Sequence, residues 1–280
     1  CALPIWDHTH LSAHGGARFY LADAFPKEYR DRLFMCNIHE HAVLTDRMVR
    51  KGSSFIGQHG DDFMPTNDMA WVGFSVEIGP EGGVYILDWH DQDVCGNSVQ
   101  FPDSGRVYRI LPKGKSAVRP PNLRTLSDRE LVEMQTHTND WWVRQARTEL
   151  QYRTHNGQLD PTIVYPLLRQ QLQSGVDTGR RLRALWALHV TGGIDRPALT
   201  QMLDHPDEYV RAWAIQLLGD QCDINAFQPP AGEEVDRTSV YPSQLHQRMV
   251  DLAYNDPSPV VRLYLASAVQ RMPFEQRWPI

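Results

Sequence analysis

The sequence predicts a multidomain, β-then-α protein, and three observations carry that prediction. Short apolar runs punctuated by glycine fill residues 1–113. A helical apolar period takes over at about Leu123. The helical part then repeats itself, pair after pair, as stacked helical arrays do.

The strand-like runs are ARFYL, RLFMCNI, FSVEI, VYILDW and RVYRIL. They are rich in aromatic and β-branched residues and bounded by Gly, Asp and Pro. Phe74–Ile78 alternates, Gly79-Pro80-Glu81-Gly82-Gly83 turns, and Val84–Leu87 runs on. That is a hairpin whose glycines supply the positive φ the turn needs. Tyr85-Ile86-Leu87 is apolar on both faces, which suits a strand covered on both sides. A linker over 114–124 follows, stiffened by Pro120-Pro121.

In the second part, residues 125–280, Leu126, Leu131 and Met134 share one helical face, and Trp142, Val143, Ala146 and Leu150 another. Thr125 or Ser127 can cap the first helix, Asn139 or Asp140 the second. The pattern recurs in TIVYPLLRQQLQ with GRRLRALWALHV, in ALTQMLDHPDEYVRAWAIQLL, and in LHQRMVDLAYNDPSPVVRLYLASAV. About four helical pairs result, with polar corners at His205-Pro206-Asp207 and Asp256-Pro257 followed by Val-Arg. Such self-similarity predicts an α-solenoid, with Asp-to-Arg pairing between neighbouring corners. Residues 222–244 break the repeat and read as a long loop.

The composition bounds the function. With 280 residues the chain can hold two domains, and 41% hydrophobic with 22% charged residues is globular. A net charge of -6 gives no basic footprint for nucleic acid. No run of 18 apolar residues could form a membrane-spanning helix. Cys1, Cys36, Cys95 and Cys222 make no CxxC or CxxCH spacing; a Cys36–Cys95 bridge and separate buried thiols both fit. The chain starts at Cys1 without a leader-like segment and reads as a fragment.

Several segments resemble one family: AFPKEYRDRLFMCN, DDFMPTND, the IGPEGGVYILDW hairpin and GRVYRI. They are similar to the C-terminal propeller segments of bacterial membrane-bound dehydrogenase-like, c-type haem-binding-domain proteins, distant relatives of glucose/sorbosone dehydrogenases. The resemblance implies a partial β-propeller of about two blades over 1–113, then HEAT-like repeats. It also implies an extracytoplasmic setting, periplasmic or cell-envelope, and a redox role. In that role the chain would oxidise a sugar or other alcohol, and electrons would pass to a c-type haem module outside this chain.

Propellers carry working residues at strand ends, so three polar clusters become candidates: Asp7, His8, His10 and His14; Asn37, His39, Glu40 and His41; and Asp88, His90, Asp91 and Asp93. His14 and His90 are the catalytic candidates, as bases that would take a hydroxyl proton while hydride moves to a quinone cofactor. His39, His59 and Asp61 are the cofactor-binding candidates. Asp88, Asp91 and Asp93 are the metal candidates, with oxygens suited to Ca2+. The bland alternative is that these side chains cap strand ends and turns. The alternative function is a non-catalytic binding or scaffold protein. It would hold a protein partner on the HEAT-like surface, or a carbohydrate on aromatic residues such as Trp71, Trp89, Trp141 and Trp142.

Overall fold

The computed structural model describes residues 13–92, 98–116, 119–220, 243–272 and 274–280. The chain divides into two compact units. The first holds residues up to Leu126 together with His137–Ala146, and the second Ser127–Thr136 with Arg147–Ile280.

The first unit contains β1 (His14–Phe19), β2 (Arg32–Asn37), β3 (Ala42–Lys51), β4 (Ser54–His59), β5 (Met64–Pro65), β6 (Gly73–Ile78), β7 (Val84–Asp88) and β8 (Arg106–Ile110). β1 to β4 pair in sequence order, all antiparallel, and β5 returns to pair with the start of β3. β6, β7 and β8 make a second antiparallel sheet. One core joins the two sheets: Tyr20, Phe34, Cys36 and Val43 pack with Trp71, Val76, Ile78, Val84 and Ile86. β1 lies so close to β6 that a Cβ on Gly16 would sit 2.7 Å from the Ser75 Cα; Gly16 also has φ +59°. Only glycine meets both conditions cheaply.

The Gly79–Gly83 turn is held from two directions. The Tyr20 hydroxyl donates to the Gly82 carbonyl at 3.0 Å. The Asn139 amide donates to Gly79 O and Pro80 O, and the Trp142 indole N–H to Pro80 O at 2.8 Å. These bonds place His137–Ala146 with the sheets rather than with the helices that follow.

The expected propeller blades are not what the chain forms. Its described strands make sheets of five and three, and they do not close into a ring. A propeller needs several four-stranded blades around a channel. Here the β3–β4 hairpin and the returning β5 enlarge the first sheet, while the second ends at β8.

The helices are α1 (Asp128–Glu133), α2 (Asp140–His155), α3 (Pro161–Ser174), α4 (Thr178–Val190), α5 (Arg196–Gln201), α6 (Glu208–Asp220), α7 (Ser243–Asn255), α8 (Pro259–Ala268) and α9 (Phe274–Arg277). Ser127 and Glu130 form a capping box at α1. Asp160, Asp177, Asp195 and Ser258 cap α3, α4, α5 and α8 through side-chain oxygens. Pro161 and Pro259 stand in first helical turns, where a missing N–H leaves no bond unmade. Val164, Leu168, Leu185, Leu188, Val210, Leu218 and Val261 fill the helical core. The loop expected over 222–244 falls outside the described residues except Ser243 and Gln244, which begin α7.

Corner is tied to corner. Arg181 reaches Asp207 at 3.2 Å, and Thr178 donates to the same oxygen at 2.6 Å. Arg211 then grips Asp256 with two bonds, 2.8 and 2.9 Å. Both carboxyls sit below the ordinary range. Burial pushes them up, but hydrogen bonds from Thr178 and Arg181 outweigh it at Asp207, and the Arg211 guanidinium does so at Asp256.

Candidate functional site

Strand register gathers most of the polar candidates at one end of the two sheets. His14 opens β1 opposite Asn37, where β2 ends. His39, Glu40 and His41 fill the turn into β3. The Asn37 side chain organises that turn: its oxygen accepts from His39 N and Glu40 N at 3.2 Å each, and its amide donates to Glu40 at 2.9 Å. His41, at φ +52°, has Nδ1 2.7 Å from the Trp71 carbonyl oxygen. Trp71 leads into β6, whose Gly73 pairs with Asp88.

Asp88 is the hub of this end, with no side-chain exposure. Its Oδ1 accepts from Val72 N at 2.7 Å and His90 N at 2.9 Å. Its Oδ2 accepts from Arg106 Nε at 2.8 Å and lies 2.7 Å from Nη2. The same Nη2 bonds Asp68 at 2.7 Å. Hydrogen bonding from Arg106 holds the Asp68 carboxyl below the usual range, with help from Ala70 N–H. His90 has φ +55°; its Nδ1 stands 2.6 Å from Ser104 Oγ and its Nε2 3.6 Å from Asp68. Its ring stacks on Phe101 at 5.6 Å. Burial, with the Asp88 charge nearby, pushes the Cys36 thiol up to about 12, so at neutral pH it is an inert buried thiol.

The other candidates are placed as follows. Asp91, buried, accepts from Gln100 N at 2.9 Å and ties down the loop after β7. His59 lies between Asp46 and Asp62 at 3.4 Å from each. Asp61 is exposed beside Arg32 at 3.7 Å. The His59 and Asp61 pair therefore belongs to the β3–β4 region and not to the Asp88 end. Asp7, His8, His10, Asp93 and Cys95 lie outside the described residues. Among the described residues, no group of three or more His, Cys, Asp or Glu could hold a metal ion. The Asp88 network shows why in one case: four donor contacts already occupy both of its oxygens.

Of the tryptophans read as a ligand surface, Trp71 and Trp142 are core residues. Trp141 packs edge-on to Trp142 at 4.8 Å, and Trp89 is exposed against Phe74. The helical unit carries a surface that the sequence reading missed. The Arg147 guanidinium stands 5.4 Å over the Trp186 ring, Trp186 meets Trp213 edge-on at 4.8 Å, and Trp213 meets Tyr264 at 6.2 Å. One residue comes from each of α2, α4, α6 and α8. Beside the last two rings opens a groove of about 550 Å3, lined by Trp213, Gln216, Asp220, Leu263, Tyr264 and Ser267. A signal existed in the sequence: Trp213 and Tyr264 both stand three places after the corner valine, Val210 or Val261.

No helix among the described residues is long and apolar enough to cross a membrane. The profile of a domain of unknown function (DUF7133) matches residues 5–119, which takes in β1 to β8 and stops before α1. No curated protein matches the chain.

Proposed function

We propose that this chain is a ligand-binding module whose working surface lies on its helical unit. The groove beside Trp213 and Tyr264 carries this reading. Its volume, about 550 Å3, falls within the range of small-ligand clefts, roughly 300–1,000 Å3. Half-buried rings with polar groups at their edge are the usual make-up of such clefts. The candidate catalytic residues, by contrast, are engaged in holding strand ends together.

The redox role implied by the family resemblance is the second reading. What supports it is the gathering of His14, His39, His41 and His90 at one end of the sheets. A single pair of measurements separates the two. The chain is mixed with glucose or a short alcohol and a dye electron acceptor, and the Trp213 indole NMR signal is followed against a panel of sugars and peptides. The binding reading expects no dye reduction and a ligand that moves the Trp213 signal. Dye reduction that disappears in His90→Ala would establish the redox reading in its place.

A further inference from the structure

The polar atoms of the groove narrow the ligand class, and this inference rests on the binding reading above. Asp220 Oδ1 accepts from Gln216 Nε2 at 3.1 Å, and the same carboxylate pairs with Arg271. The pair neutralises the rim, so the groove offers no net charge to an ionic ligand. Three atoms along the lining make no hydrogen bond among the described residues: Asp220 Oδ2, the Gln216 side-chain oxygen and Ser267 Oγ. Two of the three only accept, and the third can do either. A bound molecule must therefore bring donors, or burying those acceptors would carry an unmatched desolvation cost. A proline-rich strand fits aromatic grooves but has no backbone N–H at its prolines, so it fails this requirement. A basic side chain brings donors together with a charge that the Asp220–Arg271 pair no longer complements. A polyol ring meets every condition: it is neutral, it lays apolar C–H faces on Trp213 and Tyr264, and its hydroxyls donate to the acceptors.

We infer that the α6–α8 groove is a binding site for a neutral carbohydrate, seated on Trp213 and Tyr264 and held at its hydroxyls by Gln216, Asp220 and Ser267. Nothing in the chemistry of the lining requires the sugar to be altered.

The test titrates the full chain with cellohexaose, maltohexaose, xylohexaose and mannohexaose, with a proline-rich peptide and an arginine-rich peptide alongside, reading the Trp213 indole signal. One or more hexasaccharides should shift it with saturation. Trp213→Ala, followed by isothermal titration calorimetry because it removes the reporter ring, should weaken that binding at least about tenfold, and Asp220→Asn several-fold, because it converts one acceptor to a donor. Trp213 is half-buried, so Ser267→Trp serves as the second variant: it fills the groove from an exposed position and should abolish the shift with the thermal midpoint unchanged. Trp89→Ala, on an exposed ring of the other unit, should bind like wild type. A pull-down on insoluble cellulose and xylan then tells a polymer ligand from a free oligosaccharide. A peptide that moves Trp213 where no sugar does would overturn the carbohydrate inference and leave the binding reading standing. Silence from every probe, or sugar binding untouched by Ser267→Trp, would overturn both.

Discussion

Asp88 in the sheets and Asp256 in the helices are both buried carboxylates gripped twice by an arginine, yet they lead to different outcomes. Asp88 ties Val72, His90 and Arg106 together where three strands end. Asp256 takes Arg211 across a corner and caps Ser258 N at 2.8 Å, and the preceding corner takes Arg181 with Asp207 in the same way. A single closure satisfies its donors and leaves no lone pair for a ligand. A repeated closure keeps successive helices in step, so residues at equivalent positions line up. The Asp88 carboxylate therefore spends its hydrogen bonds on architecture. The plainer helical repeat ends up displaying a row of rings and an open groove.

That contrast can be broken most sharply at its hub. Asp88→Ala leaves Arg106 Nε and the Val72 and His90 N–H groups without their acceptor, while Arg106 Nη2 keeps Asp68. Each buried donor left unsatisfied costs about 1–3 kcal/mol, so urea denaturation should show a loss of about 3–4 kcal/mol for the three together. A loss below about 1 kcal/mol would mean that the network does not fasten the strand ends. Asp256→Ala should cost less, about 2–3 kcal/mol, because Arg211 keeps the His205 and Pro206 carbonyls as acceptors.

The Asp256 pair also has a pH signature. Burial raises its pKa, but Arg211 and the Ser258 N–H lower it further, and the net shift is downward. The folded state therefore holds its proton less tightly than the unfolded chain, whose aspartates titrate at about 3.9. The contribution is full above that pH and fades as pH falls through the lower folded value. The stability gap between wild type and Asp256→Ala should be constant near neutrality and close below about pH 4.

Smaller effects sharpen the same comparison. Gly16→Ala puts a Cβ 2.7 Å from the Ser75 Cα at φ +59°, and overpacking of that kind costs about 1–3 kcal/mol. Calorimetry should assign this loss to the sheets alone. Ser127→Ala removes the capping-box oxygen from α1 and should cost about 1 kcal/mol, confined to the helical unit.

Elements with strong local chemistry were readable in the sequence. The Gly79–Gly83 turn, the strands on both sides of it, the RVYRI strand and the Ser127 cap all stand where their residues point. β3 and β4 were missed. AVLTDRMVRK carries Asp46, Arg47, Arg50 and Lys51, and no alternation survives, since Ala42 to Asp46 are all buried. Asp46 is tolerated inside because β4 brings His59 beside it, a partnership the one-strand pattern does not contain. The three-residue offset of Trp213 and Tyr264 from their corner valines was visible, but a ring at helical spacing reads equally well as core.

Residue order settled what neighbours along the chain can settle: the strands on either side of the Gly79–Gly83 turn, the cap of α1, and which turns need glycine. Those outcomes depend on bonds spanning a few residues. Whether Asp88 and His90 were open to a ligand depended on Arg106 and Asp68, and the count of strands in each sheet depended on β5 returning to β3. Whether Trp213 faced a groove depended on α8 lying against α6. Each of these is a contact between distant segments, and a carboxylate, a strand edge or a ring takes its role from the partner that the fold brings to it.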